Sequence, residues 1–397
     1  MTRRRRLGPR GGVAIREASQ VDVGRQVRSI GVIAALAITV VVLAGACSPA
    51  TSPGPSASAT APPATGSPAA GSPSASPSPS GPPATAVTGP VRLALDWTPN
   101  TDHTGIYVAQ ANGWYAAAGV DLRILPYADT APEALIGAGQ AECGISFQDA
   151  LTFAAAAGTP IVSVMAILQK TASVVSVLAD GPITRPRELD GKTFAGFGYP
   201  ADGPTLKAII RADGGRGEFT TVTLDSAAYE ALYAKRADFT IVFTAWEGIQ
   251  AQRRGIALRD FVYSDYGFPE SYQVVLACDS RWLAREPDLA RAFVDATVRG
   301  YEEAASDPET AAGILVQQNP GVFDADPGLP LASQEFLDQG GYLVDPAGHV
   351  GTQTLAQWQG YSGFLYDQGI LTDQDGKPLA SPPDYASLFT DDLLPAP

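Results

Sequence analysis

The sequence predicts an α/β protein of two lobes with a ligand cleft between them. After Val91, short apolar strands alternate with helix-patterned segments, the rhythm of βα units whose strands are covered by helices. The stretch 91–397 holds about 307 residues, longer than a single core usually grows. The rhythm breaks near 179, at Asp180-Gly181-Pro182, and again near 271. These breaks place 91–178 and 272–397 in lobe 1 and 179–271 in lobe 2. A cleft between lobes is a usual ligand site, although rhythm decides architecture and not function.

Two segments of different composition precede this part. Residues 1–46 carry eight arginines against Glu17 and Asp22, and 30–43 is an uncharged apolar run of about 14 residues. That is short for a membrane-spanning helix and typical of a signal peptide. Leu43-Ala44-Gly45-Ala46-Cys47 closes the run with small residues and a cysteine, and resembles a bacterial lipobox, in which the cysteine is lipidated and becomes the new N-terminus. The alternative is an uncleaved N-terminal anchor. Both readings attach the chain to a membrane and put the remainder outside the cytoplasm. Residues 48–90 contain only Ser, Pro, Ala, Thr, Gly and one Val, too little apolar surface to offset ordering entropy, so 47–90 reads as a disordered tether behind Cys47. Extended at ~3.1 Å per residue it reaches on the order of 130 Å.

Without the eight arginines and two acids of 1–46, the chain's 27 basic and 41 acidic side chains leave a net charge of −20. Such a charge opposes nucleic acid as a partner. Three cysteines exclude a disulfide scaffold.

The folded elements follow in order. Val91-Arg92-Leu93-Ala94-Leu95 reads as a strand, 104–117 as a helix, 120–125 as a strand and 130–138 as a helix. Cys143-Gly144-Ile145, a helix over 148–157 and a strand over 161–168 continue the pattern. The second set has strands at 192–196, 220–224 and 239–243 and helices at 203–212 and 226–235. A strand over 271–278 precedes a helical remainder: a helix begun by Pro287 with Leu289, Phe293 and Ala296 on one face, then 307–318 and 352–367. Units of this kind imply a mainly parallel sheet.

One ordered set of motifs says more. Leu95-Asp96-Trp97-Thr98-Pro99-Asn100-Thr101-Asp102-His103-Thr104-Gly105-Ile106-Tyr107 leads from the first strand into the first helix, and Gly113-Trp114-Tyr115 and Ala118-Gly119-Val120-Asp121-Leu122 lead on to the next strand. Ala141-Glu142-Cys143-Gly144-Ile145-Ser146-Phe147-Gln148, Leu189-Asp190-Gly191-Lys192 and Ala245-Trp246-Glu247-Gly248-Ile249 complete the set. In this order, over most of 91–300, it resembles the solute-binding lipoproteins of ABC importers for thiamine-precursor pyrimidines such as hydroxymethylpyrimidine, within the nitrate, sulfonate and taurine binding family. The resemblance implies a periplasmic-binding-protein-like fold of class II. It also implies a monomer without cofactor that closes on a small heteroaromatic ligand and presents it to an importer's permease and ATPase subunits, at the outer face of the bacterial cell membrane.

The residue chemistry agrees with a planar, amine-bearing ligand. Trp97, Tyr107, Phe147, Tyr199 and Trp246 offer flat faces for stacking. Glu247 offers a carboxylate to an exocyclic amine, Asn100 a donor and an acceptor to ring nitrogens, and His103 a further polar contact. The resemblance assigns pocket roles to Trp97, Asn100, Trp246 and Glu247. Each residue also has a structural alternative. Trp97 packs between sheet and helix, Asn100 caps a helix, Glu247 complements a helix dipole and His103, with Tyr107 one turn on, is a solvated first-turn residue. The turn Gly196-Phe197-Gly198-Tyr199-Pro200 is an anion-site candidate, or its helix start is capped by Asp202. Lys170 reads as a hinge lysine or an anion contact. In the resembled topology Cys143 and Cys278 fall in neighbouring strands, which leaves a disulfide or two buried thiols.

The enzyme alternative shares the fold: fungal pyrimidine synthases carry a Cys-rich run and an additional histidine, where this chain reads Glu270-Ser271-Tyr272-Gln273 and Asp149-Ala150-Leu151. With only His103 and His349, and no Cys-x-x-Cys, His-Glu-x-x-His, Gly-x-Ser-x-Gly or phosphate loop, neither an enzyme nor a metal centre is expected. Within binding proteins, a riboflavin-like ligand or nitrate or sulfonate are the other readings.

Overall fold

The structure is a computed structural model that describes residues 88–128, 130–199 and 201–396. The expected signal peptide, Cys47 and nearly all of the tether lie outside the described residues. Among the described residues, no helix is long and apolar enough to cross a membrane.

β1 (Gly89–Ala94) leads through a 3-10 turn (Thr101–His103) into α1 (Thr104–Ala111) and α2 (Trp114–Ala117). β2 (Val120–Leu125), α3 (Pro132–Gly137), β3 (Cys143–Ser146), α4 (Gln148–Ala156) and β4 (Ile161–Leu168) follow. The second part runs β5 (Ser173–Leu178), β6 (Thr193–Gly196), α5 (Asp202–Ala212), β7 (Thr220–Thr223), α6 (Ala227–Tyr233), β8 (Thr240–Phe243), a π-helical turn (Thr244–Gly248), α7 (Ile249–Arg253) and β9 (Leu258–Val262). The chain closes with β10 (Val274–Asp279), α8 (Ser280–Arg285), α9 (Pro287–Ser306), α10 (Pro308–Gln318), α11 (Leu329–Gln339) and α12 (Leu355–Asp367). The helix expected over 104–117 is two helices, because Gly113 adopts φ 71°, a left-handed conformation that ends the first.

One sheet has the order β2-β1-β3-β10-β4, another β8-β5-β9, and β6 pairs with β7, tied to Phe239 by a bridge from Phe194. The expectation of a mainly parallel sheet is corrected. β1 runs parallel to β2 and β3, and β6 to β7, but β10 is antiparallel to both β3 and β4, and β5 to both β8 and β9. β10 comes back into the first sheet from the second, and β5 follows β4 after four residues, too few for a covering crossover helix. The crossing between sheets therefore falls at 169–172, before β5, and not at 179.

Hydrogen bonds tie the two crossing segments. Gln273 Oε1 accepts from the N–H groups of Ala172 and Ser173 at 2.9 and 3.1 Å, and the Thr171 and Ser271 hydroxyls lie 3.1 Å apart. α12 spans both cores: Trp358 packs with Tyr272, Leu151 and Val275 against the first sheet, while Tyr361 and Leu365, one and two turns on, join Phe194, Leu206 and Phe261 of the second. α1 and α9 meet at glycines. A Cβ on Gly300 lies 1.9 Å from the Gly105 carbonyl oxygen, so only glycine allows this approach. Cys143 and Cys278 face each other in the β3–β10 register and are joined as a disulfide, which decides between the bond and two free thiols.

Candidate functional site

The first wall of the site is built where β1 ends. Asn100 caps the 3-10 turn, its Oδ1 accepting from the Asp102 N–H at 2.8 Å, and its own N–H donates to His103 Nδ1 at 3.3 Å. Because Nδ1 accepts, the imidazole proton sits on Nε2, where it is donated to Asp96 Oδ1 at 2.8 Å. His103 is fully buried and holds the Asp96 carboxylate by this hydrogen bond. The second wall comes from β3 and α4. Gln148 anchors it, accepting from the Tyr272 N–H at 2.8 Å and donating to carbonyls of α12, which leaves Phe147 and Asp149 facing inward. The other lobe supplies Phe197, Tyr199 and Asp202 after β6, Tyr229 from α6 and Glu247 from the π-helical turn after β8.

These residues enclose a cavity of about 460 Å³ between the two sheets. Of the residues expected from sequence, Trp97, Asn100, Phe147, Tyr199 and Glu247 line it. His103, Tyr107 and Trp246 do not. Adjacent residues in a helical turn diverge, so the Trp246-Glu247 pair splits: Glu247 faces the cavity, while Trp246 is buried with Tyr107, Ile249, Leu315, Phe323 and Leu329. Trp97 combines both of its readings, lining the cavity while packing against Val174, Tyr229 and Val242 of the other lobe. Its ring centroid lies 5.8 Å from that of Phe197, and Phe197 in turn lies 5.5 Å from Tyr229. Tyr199 crosses the cleft as well, donating to the Asp96 carbonyl at 3.4 Å and meeting Phe147 edge-on at 6.2 Å. Phe153, Phe243, Tyr263, Tyr272 and Tyr361 add to the aromatic wall.

The charge of the cavity was not foreseen. Asp96, Asp102, Glu133, Asp149, Asp202 and Glu247 all line it, and its described wall contains no Lys, Arg or His. Lys170 is elsewhere, its ammonium on the Gly340 carbonyl and 4.5 Å from the Tyr342 ring centroid. Asp202 does not cap α5; the cap is Ala201, which offers no side-chain bond. Burial pushes Glu247 up to about 8, Asp96 adding repulsion while a hydrogen bond from Tyr229 opposes the shift. Burial raises Asp102 well above the usual carboxylate range, with the charges of Asp96 and Glu247 adding to it. Glu133 and Asp149 are raised chiefly by burial, although Ser146 donates to Glu133 and the Ala150 N–H to Asp149. Burial and then the Asp149 charge push Asp202 up to about 7. Asp96, Asp102 and Asp149 stand inside or beside the sequence motifs, but a carboxylate at a strand end or in a first helical turn reads equally as a cap or dipole partner. Only the shared cavity distinguishes them.

Two sheets flanking a cleft, joined by two crossings of the chain, fit the periplasmic-binding-protein fold, and solved structures show it. The alkanesulfonate-binding protein SsuA of Xanthomonas axonopodis pv. citri, bound to MOPS, matches with a TM-score of 0.57 at 15% identity, over 73% of this chain and 96% of that one. The chain belongs to the NMT1/THI5-like family, whose model matches residues 100–311. It is 28% identical over 284 residues to the formylaminopyrimidine-binding protein of Halalkalibacterium halodurans, covering 69% of this chain and 84% of that protein. The riboflavin-binding protein RibY of Chloroflexus aurantiacus is 24% identical over 379 residues, 91% of this chain and 97% of the relative. A 4-amino-5-hydroxymethyl-2-methylpyrimidine phosphate synthase of Legionella pneumophila is 24% identical over 239 residues, 58% and 74% of the two chains.

Proposed function

We propose that this chain is the extracytoplasmic solute-binding lipoprotein of an ABC importer, anchored through Cys47, and that it captures a thiamine-precursor aminopyrimidine, hydroxymethylpyrimidine or its formylaminopyrimidine relative. The observation that carries the ligand class is Glu247, buried in an aromatic cavity whose described wall holds six carboxyl groups and no cationic side chain. A 4-aminopyrimidine presents a ring nitrogen that accepts beside an amine that donates. A carboxyl held protonated near neutral pH, as Glu247 is, presents the matching donor and acceptor. The ring then lies against the Trp97, Phe197 and Tyr229 surfaces. Nitrate or a sulfonate finds no positive partner in the described wall and meets carboxyl groups instead.

The binding reading is favoured over the synthase reading because the candidate reactive groups are already engaged: His103 is buried against Asp96 and Asn100, and Cys143 is bonded to Cys278. A riboflavin-like ligand is the second reading, favoured by the extent of the aromatic wall and by the length of the RibY alignment. Melting of the purified chain against hydroxymethylpyrimidine, formylaminopyrimidine, thiamine, riboflavin, taurine and nitrate tests these choices. A ligand at ~100 times its Kd stabilises by ~2.7 kcal/mol, and an aminopyrimidine is expected to raise Tm selectively. A shift with riboflavin or an anion alone overturns the ligand assignment, and silence with every compound overturns the binding role.

A further inference from the structure

The proposed binding mode places the ring edge on Glu247, with Asp96 and Asp102 beside it, and leaves a second acidic group of the same cavity unassigned. Asp149 stands in the first turn of α4, on the first lobe, and Asp202 opens α5, on the second, with Thr205 one turn further along α5. All three line the cavity. Thr205 is 3% exposed, yet its Oγ1 has no hydrogen-bond partner among the described residues, and neither has Oδ2 of Asp202. A buried hydroxyl and a carboxylate oxygen left unpartnered in a cavity wall are costly unless something else meets them. Asp202 does not cap α5; its carboxyl accepts from the Phe197 and Tyr199 N–H groups of the turn after β6, which still leaves Oδ2 unpartnered. The two carboxylates also repel one another across the cleft.

We infer that Asp149, Asp202 and Thr205 form a second ligand subsite, which takes a primary ammonium group on the far end of the ligand and bridges the two lobes through it. An ammonium has three N–H donors, and the subsite offers three acceptors, two of them charged. A hydroxymethyl or formylated aminomethyl group brings one donor and no charge. Burial raises both carboxyl groups, Asp202 to about 7, and a cation between them draws both back to the ionised form. The inference rests on the aminopyrimidine reading for what carries the ammonium: among ring-substituted aminopyrimidines it selects the 5-aminomethyl compound.

Titration calorimetry on the full chain at pH 7.5 tests it with the 5-aminomethyl, 5-hydroxymethyl and formylated compounds, and with benzylamine and benzyl alcohol as probes that lack the aminopyrimidine edge. The expected result is aminomethyl binding about tenfold or more tighter than hydroxymethyl, as charge-assisted hydrogen bonds imply. Asp149→Asn and Asp202→Asn should each remove about tenfold of aminomethyl affinity while moving hydroxymethyl affinity less than about twofold, which also shows that the variants fold. Thr205→Val gives a smaller loss of the same selectivity. Equal binding of aminomethyl and hydroxymethyl compounds, or equal losses for both in the variants, overturns the subsite and leaves the proposed function standing. If no aminopyrimidine binds but benzylamine is preferred over benzyl alcohol in a manner dependent on Asp149 and Asp202, the proposed function falls and the subsite stands. Silence of the aminopyrimidines with no preference for benzylamine overturns both.

Discussion

Replacing Glu247 by Gln and by Ala separates a protonated carboxyl from a charged one. Glu247 is 5% exposed, and its pKa of about 8 keeps it protonated at pH 7. The glutamine amide retains one donor and one acceptor, whereas alanine retains neither. Two hydrogen bonds of about 0.5–1.5 kcal/mol each give Glu247→Ala a loss of about 1–3 kcal/mol, or roughly five- to 150-fold in Kd for hydroxymethylpyrimidine. Glu247→Gln is expected to stay within about threefold of the wild type. The pH profiles then diverge: wild-type affinity falls as pH rises through about 8, while the Gln variant shows no such fall. Stability carries the same signature. The folded-state pKa lies above the ordinary value of 4.5, so the folded chain keeps a proton that the unfolded chain releases. The contribution is therefore fully present below about pH 4.5 and is lost as pH rises to about 8, by at most about 1.4 kcal/mol for each pH unit crossed. Calorimetric titrations from about pH 6 to 9.5, with melts over about pH 4 to 9, read both effects on either side of these pKa values. A Gln variant as weak as the Ala variant, with a flat wild-type profile, refutes the protonated-carboxyl reasoning.

Trp246→Ala should lower Tm, the loss of a large buried side chain costing about 3–5 kcal/mol, while ligand affinity of the folded protein is retained; Trp97→Ala should instead weaken binding, with calorimetry reading each. Gly300→Ala drives a methyl into the Gly105 carbonyl and should destabilise by at least about 1–3 kcal/mol in chemical denaturation, whereas Gly313→Ala, where a Cβ meets nothing within 4 Å, should not. Peptide mapping after thiol labelling of unfolded, unreduced chain should leave Cys143 and Cys278 unmodified, and replacing both by Ala should cost about 2–5 kcal/mol.

The parts of the fold legible in the sequence are those where local pattern and final environment agree. β3 and β4 are short runs buried in the first sheet, β1 buries Val91, Leu93 and Ala94 there, and α9 shows its buried face in Leu289, Phe293 and Ala296. β5 and β9 were not legible. β5 lies close behind the apolar run of β4 with no helix between, and Leu258-Arg259-Asp260-Phe261-Val262 carries two charges, Asp260 being held by the Ser176 hydroxyl at 2.6 Å. Strand direction was hidden for the same reason: a pattern of apolar residues says that a segment is a strand, not which sheet it enters or from which end. At the site, motif order located Trp97, Phe147 and Glu247, but not the direction each side chain takes. Trp246 and Tyr107 share hydrophobic character with the cavity residues and went to a neighbouring core. Apart from Glu247, the acidic wall was illegible because its members come from four separate stretches of the chain, around 96–102, 133, 149 and 202, each acceptable alone as a surface acid.

A crystal structure of the chain with hydroxymethylpyrimidine tests the central claim most directly. The account predicts the ring in the cavity between the two sheets, with its ring nitrogen and exocyclic amine within hydrogen-bond distance of Glu247 and its face against the Trp97 and Phe197 wall. A ligand held away from Glu247, or density for it only outside this cavity, contradicts the account.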